Sequence, residues 1–128
     1  MSGKMIYLDT HVVVWLYSGE TDLFSSTAIQ LIENNELLIS PMVLLELQYL
    51  LEIKRIIVEP TVIFDNLAET VGLQKCRSSF GLVIAESMGI TWTRDPFDRV
   101  ITATAAIHDA ILLTKDEQIR QEYGQALW

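Results

Sequence analysis

The chain has 128 residues, with 9 Lys and Arg against 17 Asp and Glu, a net charge of −8 and a single cysteine. That length suits one domain with its own core, one cysteine excludes an internal disulfide framework or a Cys-rich zinc site, and a 50% hydrophobic composition excludes disorder. No apolar run approaches the roughly 18–20 residues of a membrane span, and Met1 to Met5 lead into a short run broken at Asp9 rather than into a secretory signal, so a soluble cytoplasmic domain over residues 1–128 is expected.

Met5 to Leu8 is a short apolar run that suits a buried parallel strand and stops at Asp9. Thr10 to Tyr17 reads as a helix that Ser18-Gly19-Glu20 ends, and Ser25 to Asn35 as a second with Ile29, Leu31 and Ile32 inward. Leu37 to Ile39 is the next strand. Ser40-Pro41 then supplies an N-cap and a proline at the first helical position, opening a helix to about Lys54. Glu59-Pro60 opens another, with Val62, Ile63, Leu67 and Val71 at helical spacing. Leu73 to Cys76 reads as a strand and Ser79 to Met88 as a helix closed by Gly89. Asp95-Pro96 starts a long helix reaching His108, Ile111 to Leu113 is a strand, and Asp116 to Tyr123 is a terminal helix ended by Gly124. Short apolar strands alternating with helices predict an α/β fold with a mostly parallel sheet of four to five strands flanked by helices.

A net charge of −8 argues against a nucleic-acid binder, because phosphate contacts are made by Lys and Arg, although a local basic patch can coexist with it. Most of the acids fall on helix faces that water can solvate. Asp9 and Asp116 do not: each follows a strand and begins a helix, and ligands of open α/β sheets bind beyond the carboxyl ends of the strands. Helix capping explains either one alone. Glu46 borders the apolar stripe of its helix, at the edge beside Val43 and Leu50, where a carboxylate is costly unless compensated; it either reaches out to water or an arginine, or serves a site. In Arg94-Asp95-Pro96-Phe97-Asp98-Arg99, Asp95 has the N-cap position and Asp98 the third helical position, the spacing of an acidic capping box. If Asp9, Glu46, Asp98 and Asp116 converge, four ionised carboxylates need raised pKa values or a cation. Oxygen ligands suit Mg²⁺ or Mn²⁺, whereas His11 and His108 are not spaced as a zinc pair and read as capping or surface residues.

Four blocks, in order, resemble the PIN-domain ribonucleases, and within them the VapC-type toxins of prokaryotic toxin–antitoxin pairs. They are Tyr7-Leu8-Asp9-Thr10-His11 through Leu16, Ser40-Pro41 through Leu50, Arg94 to Arg99 with the small-residue helix Ile101 to Ala106, and Leu113-Thr114-Lys115-Asp116. The resemblance implies a PIN-like fold in which Asp9, Glu46, Asp98 and Asp116 are the catalytic metal-binding acids, with Asp95 in the same block. It places Thr114, and Thr10 beside Asp9, as supporting residues. Thr93 departs from the pattern, since many relatives carry histidine there. A homodimer and a small antitoxin whose tail blocks the site are further implications.

The mechanism this implies is hydrolysis of an RNA phosphodiester assisted by one or two Mg²⁺ or Mn²⁺ ions, about 3.5–4 Å apart if there are two. Arg94, Arg99 and Lys115 lie beside the acids and are candidates for phosphate contacts, or else pair with neighbouring acids. Trp15, Trp92 and Trp128 are candidates for base stacking, with Trp15 expected in the core. Two other classes compete. A phospho-aspartate receiver domain expects an acid pair after the first strand, where Leu8-Asp9-Thr10 offers one acid. A catalytically dead binding module would not need all four acidic positions filled.

Overall fold

Among the described residues three of the five strands are apolar runs of the sequence, and the two at the sheet edges are two-residue segments. The five are β1 (Met5–Leu8), β2 (Glu36–Ile39), β3 (Gln74–Lys75), β4 (Ile111–Leu113) and β5 (Ala126–Leu127). A computed structural model describes residues 3–128; Met1 and Ser2, which began the N-terminal reading, lie outside the described residues. Every pairing is parallel and the spatial order is β3-β2-β1-β4-β5. The fold is α/β, with a wholly parallel five-stranded sheet.

Among the described residues seven α-helices link the strands: α1 (Thr10–Ser18), α2 (Ser26–Asn34), α3 (Met42–Glu52), α4 (Pro60–Val71), α5 (Phe80–Met88), α6 (Pro96–Ala106) and α7 (Glu117–Glu122). Helices cover both faces of the central strand, which is why Ile6, Tyr7 and Leu8 are all buried and β1 reads as an unbroken apolar run rather than an alternating one. The core gathers these with Leu37, Ile39, Leu47 and Leu112. No helix among the described residues is long and apolar enough to cross a membrane.

The topology decides where a site can form. From β1 the chain moves outward through β2 to β3, then returns to the other side of β1 for β4 and β5. The order therefore reverses between β1 and β4, and the crevice beyond the carboxyl ends of those two strands is the topological switch point. Leu8 is in register with Leu113, so Asp9 and Thr114 leave the sheet side by side.

Several expected boundaries move. Gly19 ends α1 in the left-handed region at φ 72°, as the Ser18-Gly19-Glu20 signal required. In α2 the inward stripe centres on fully buried Ala28 with half-buried Leu31 and Ile32, so Ile29 lies at its edge and is exposed. Val62 is likewise exposed while Ile63 and Leu67 carry the buried face of α4. The strand expected over Leu73 to Cys76 pairs only at Gln74–Lys75. Helix α6 stops at Ala106, because Asp109 takes φ 50° and the Ala110 amide returns to the Ala105 carbonyl, turning the chain into β4. Strand β5 was not among the expected elements: it is two residues long and exists by pairing with Leu112 and Leu113 at the sheet edge.

Candidate active site

Asp9 follows β1 and performs two tasks at once. Its Oδ1 accepts the Thr10 amide at 2.8 Å, capping α1, and its Oδ2 accepts the Thr114 hydroxyl at 2.7 Å. The Thr114 backbone is pinned in turn, since its amide donates to the Leu127 carbonyl of β5 at 3.0 Å. The Thr114 hydroxyl also accepts the Asp116 amide at 3.1 Å, and Asp116 Oδ1 caps α7 by accepting the Ile119 amide at 2.9 Å. Capping and projection into the crevice are thus compatible at both strand ends.

Glu46 turns inward rather than toward water or an arginine. Its Oε1 accepts the Thr10 hydroxyl at 2.5 Å, which ties α3 to the start of α1. Asp95 is the N-cap of α6, with Oδ1 accepting the Phe97 amide at 2.8 Å and the Asp98 amide at 3.3 Å. A reciprocal capping box would have Asp98 accept the Asp95 amide. Instead that amide donates to the Thr93 hydroxyl at 3.2 Å, which leaves the Asp98 carboxylate free to face the crevice.

These side chains line one cavity of about 470 Å³: Asp9, Glu46, Asp95, Asp98 and Asp116, with Thr114, Lys115, His11 and Trp15 in its wall. The electrostatics record the crowding. Burial raises the Asp9 pKa, partly offset by the Thr114 and Thr10 hydrogen bonds. Burial also raises that of Glu46 despite the Thr10 bond. Asp98 is pushed up to about 7, by burial first and then by the charges of Asp9, Asp95, Asp116 and Glu46. A half-buried carboxylate near 7 signals a pocket that lacks positive charge.

Of the basic candidates, Lys115 lines the cavity, with its Nζ 5.9 Å from the Trp15 ring centroid. Arg99 turns the other way: its Nε donates to the Ser87 carbonyl at 3.3 Å, at the end of α5. Arg94 is exposed and is not part of the cavity wall. His11, expected as a capping or surface residue, and Trp15, expected in the core, both stand in the cavity wall. Four residues apart on α1, they share the face that follows Asp9, and both border the acids. Trp15 is half-buried in the cavity wall rather than in the core.

The profile of the PIN domain matches residues 6–124 of the chain. This protein belongs to the PIN-domain family. This PIN domain is 35% identical over 121 residues to ribonuclease VapC22 of Mycobacterium tuberculosis, spanning 90% of this chain and 89% of that one. Its fold is similar to that of a chain in the VapBC2 complex of Rickettsia felis bound to a promoter DNA fragment, with a TM-score of 0.66, 20% identity and 97% of each chain covered. It is also similar to a chain of a toxin–antitoxin complex from Klebsiella pneumoniae, with a TM-score of 0.64, 17% identity and 96% of each chain covered.

Proposed function

We propose that residues 1–128 form a single PIN nuclease domain, a Mg²⁺- or Mn²⁺-dependent endoribonuclease that acts as the toxin of a toxin–antitoxin pair in the cytoplasm. The observation that carries this reading is the cavity at the switch point, where carboxylates from four elements meet and where burial, then their charges, raises the pKa of Asp98 to about 7. The 35% identity to a ribonuclease supports the reaction class, and the toxin–antitoxin neighbours support the partner. A small antitoxin and a second copy of the chain complete the proposed assembly.

The donor set fits a hard divalent cation. Asp9, Glu46, Asp98 and Asp116 offer oxygen only, and the raised pKa values of Asp9, Glu46 and Asp98, set by burial first and then by neighbouring carboxylates, mark negative charge that the cavity does not neutralise. Among the described residues no three His, Cys, Asp or Glu side chains are yet close enough to enclose an ion, so the carboxylates must draw together to hold one. That follows from their chemistry: unneutralised carboxylates repel, and Thr10 and Thr114 take up oxygens of Glu46 and Asp9. When bound, the cation supplies Lewis acidity toward a phosphoryl oxygen and toward water.

The chain's own groups account for the rest. Thr114 and the Thr10 amide fix the Asp9 carboxylate at the floor, and the Thr10 hydroxyl fixes Glu46. Asp98 holds or releases a proton near neutrality, which makes its charge responsive to an arriving cation or phosphate. Lys115 is placed to meet a phosphate at the cavity rim, Arg94 reaches substrate from the exposed surface, and Arg99 is better placed to hold α6 against α5.

Purified chain free of any partner should cut structured RNA with Mg²⁺ or Mn²⁺ and stop with EDTA, and Asp9→Asn should lower the rate by several orders of magnitude. Undiminished cleavage in EDTA overturns the metal dependence. Absence of cleavage, with growth unaffected by expression, would favour an inert binding module.

A further inference from the structure

The acidic cavity does not end at Trp15. A second cavity of about 450 Å³ lies between α1 and the segment that joins α3 to α4, and His11 and Trp15 belong to the walls of both. The indole is braced by a second tryptophan. Trp128 meets it edge-on with centroids 5.9 Å apart, and Phe24 packs on Trp128 at 5.2 Å. Lys115 stands over the Trp15 ring on the acidic side, and Arg55 and Glu20 line the second cavity.

We infer that Trp15 is the nucleobase platform of this site, holding an unpaired base of single-stranded RNA in the second cavity beside the phosphodiester that lies over the acids. The inference rests on the nuclease reading and names how that site selects its substrate. A nucleotide is a flat π face joined to a phosphate, and this cleft presents a fixed aromatic ring followed by a lysine and a cation-demanding pocket. Arg55 offers donors and Glu20 acceptors to the edges of a base, whose hydrogen-bonding edges are free only when it is unpaired. A paired A-form duplex keeps its bases stacked and cannot deliver one to the ring. Trp15 acts as a positioning residue, since the reacting phosphate lies over the acids.

The test reads binding as well as cleavage. In a non-cleaving Asp98→Asn background, hexaadenylate should quench the Trp15 emission, isolated by comparison with Asp98→Asn carrying Trp15→Phe. Replacing one nucleotide at a time by an abasic residue should reveal a position where affinity falls about 5- to 150-fold, the range for loss of one base–aromatic stack. Trp15→Leu should lose a similar factor on the intact hexamer and nothing more on that abasic one, while Trp15→Phe restores most of the loss. If Trp15→Leu melts early, the intact-versus-abasic comparison on the Trp15 protein decides alone. Equal affinity for intact and abasic hexamers overturns the platform, as does quenching of Trp15 by an apolar peptide but not by RNA. Base-dependent binding by a chain whose wild type never cuts RNA would keep the platform and remove the nuclease reading. RNA cleavage indifferent to every abasic position would do the reverse.

Discussion

Two polar clusters lie around the central strand β1, and they solve burial in opposite ways. In one, the Tyr7 hydroxyl meets Cys76 Sγ at 3.0 Å, Cys76 meets Ser78 Oγ at 2.7 Å, and Ser78 meets His108 Nε2 at 2.5 Å, with the His108 ring stacked on Tyr7. Every member can both donate and accept, so the network closes on itself, and burial with the Cys76 contact raises the Tyr7 pKa and keeps the phenol protonated. In the other, Asp9, Glu46, Asp98 and Asp116 only accept when ionised, and the Thr10 and Thr114 hydroxyls are the side-chain donors that reach them. The first cluster is complete within the chain. The second is short of positive charge, in keeping with the divalent cation proposed for it.

The largest effect should separate the two clusters by activity. Asp98→Asn keeps the size of the side chain but removes a carboxylate from the cavity, and RNA cleavage should fall by several orders of magnitude. Ser78→Ala cuts the neutral chain of contacts, and cleavage should stay close to wild type at equal folded protein. Comparable losses from both would mean that the acidic cluster has no special role.

Metal binding sharpens the same contrast on stability. A cation held only by the folded state stabilises it by RT ln(1 + [L]/Kd). Millimolar Mn²⁺ should therefore raise the melting temperature of wild type and of Ser78→Ala. Asp95→Ala should start about 1 kcal/mol less stable through loss of the α6 cap, yet keep most of the shift. Asp98→Asn should lose most of it. Reversal of the last two outcomes would exchange the roles of Asp95 and Asp98.

A smaller effect follows from protons alone. Asp98 titrates near 7 in the folded chain and near the ordinary range of about 4 when unfolded. The folded state holds that proton more tightly, so the stability it contributes is fully present below about pH 4 and is lost as pH rises toward 7. Asp9 and Glu46 shift in the same direction. In EDTA, urea unfolding should show wild type losing stability between pH 4.5 and 7.5, and Asp98→Asn losing less. An equal slope in the two proteins would place Asp98 outside the charged cluster.

How much of this was legible in the sequence depends on the kind of signal. The parallel sheet was legible because strands buried on both faces must be continuous apolar runs, as Ile6 to Leu8 and Ile111 to Leu113 are. Strand β5 was not, because two edge residues need no run and are held by pairing to Leu112 and Leu113. The acids were legible by position, at strand ends and beside an apolar helix stripe. The place of Trp15 was not, since an aromatic residue five past the first residue of a capped helix reads the same whether it enters the core or walls a cavity. Its place is set by Trp128, which packs on it from the far end of the sequence and is itself packed by Phe24.

The smallest expected effect concerns Thr93, a residue whose importance only the hydrogen bonds reveal. Asp98 occupies the third position of α6, from which a carboxylate can reach back to the N-cap amide. It does not do so, because the Thr93 hydroxyl already accepts the Asp95 amide at 3.2 Å. Thr93→Val keeps the side-chain volume and removes that acceptor, so the freed amide offers Asp98 a competing partner outside the cavity. Stability should change little, since one exposed hydrogen bond is exchanged for another, by about 0.5 kcal/mol at most. The Mn²⁺-induced shift in melting temperature should shrink, and cleavage should fall modestly, because Asp98 spends part of its time on the helix start. Thr93→Ser restores the hydroxyl and should recover both. If Thr93→Val and Thr93→Ser respond alike to Mn²⁺, the hydroxyl is not what releases Asp98, and crowding by the neighbouring carboxylates must hold it in the cavity unaided.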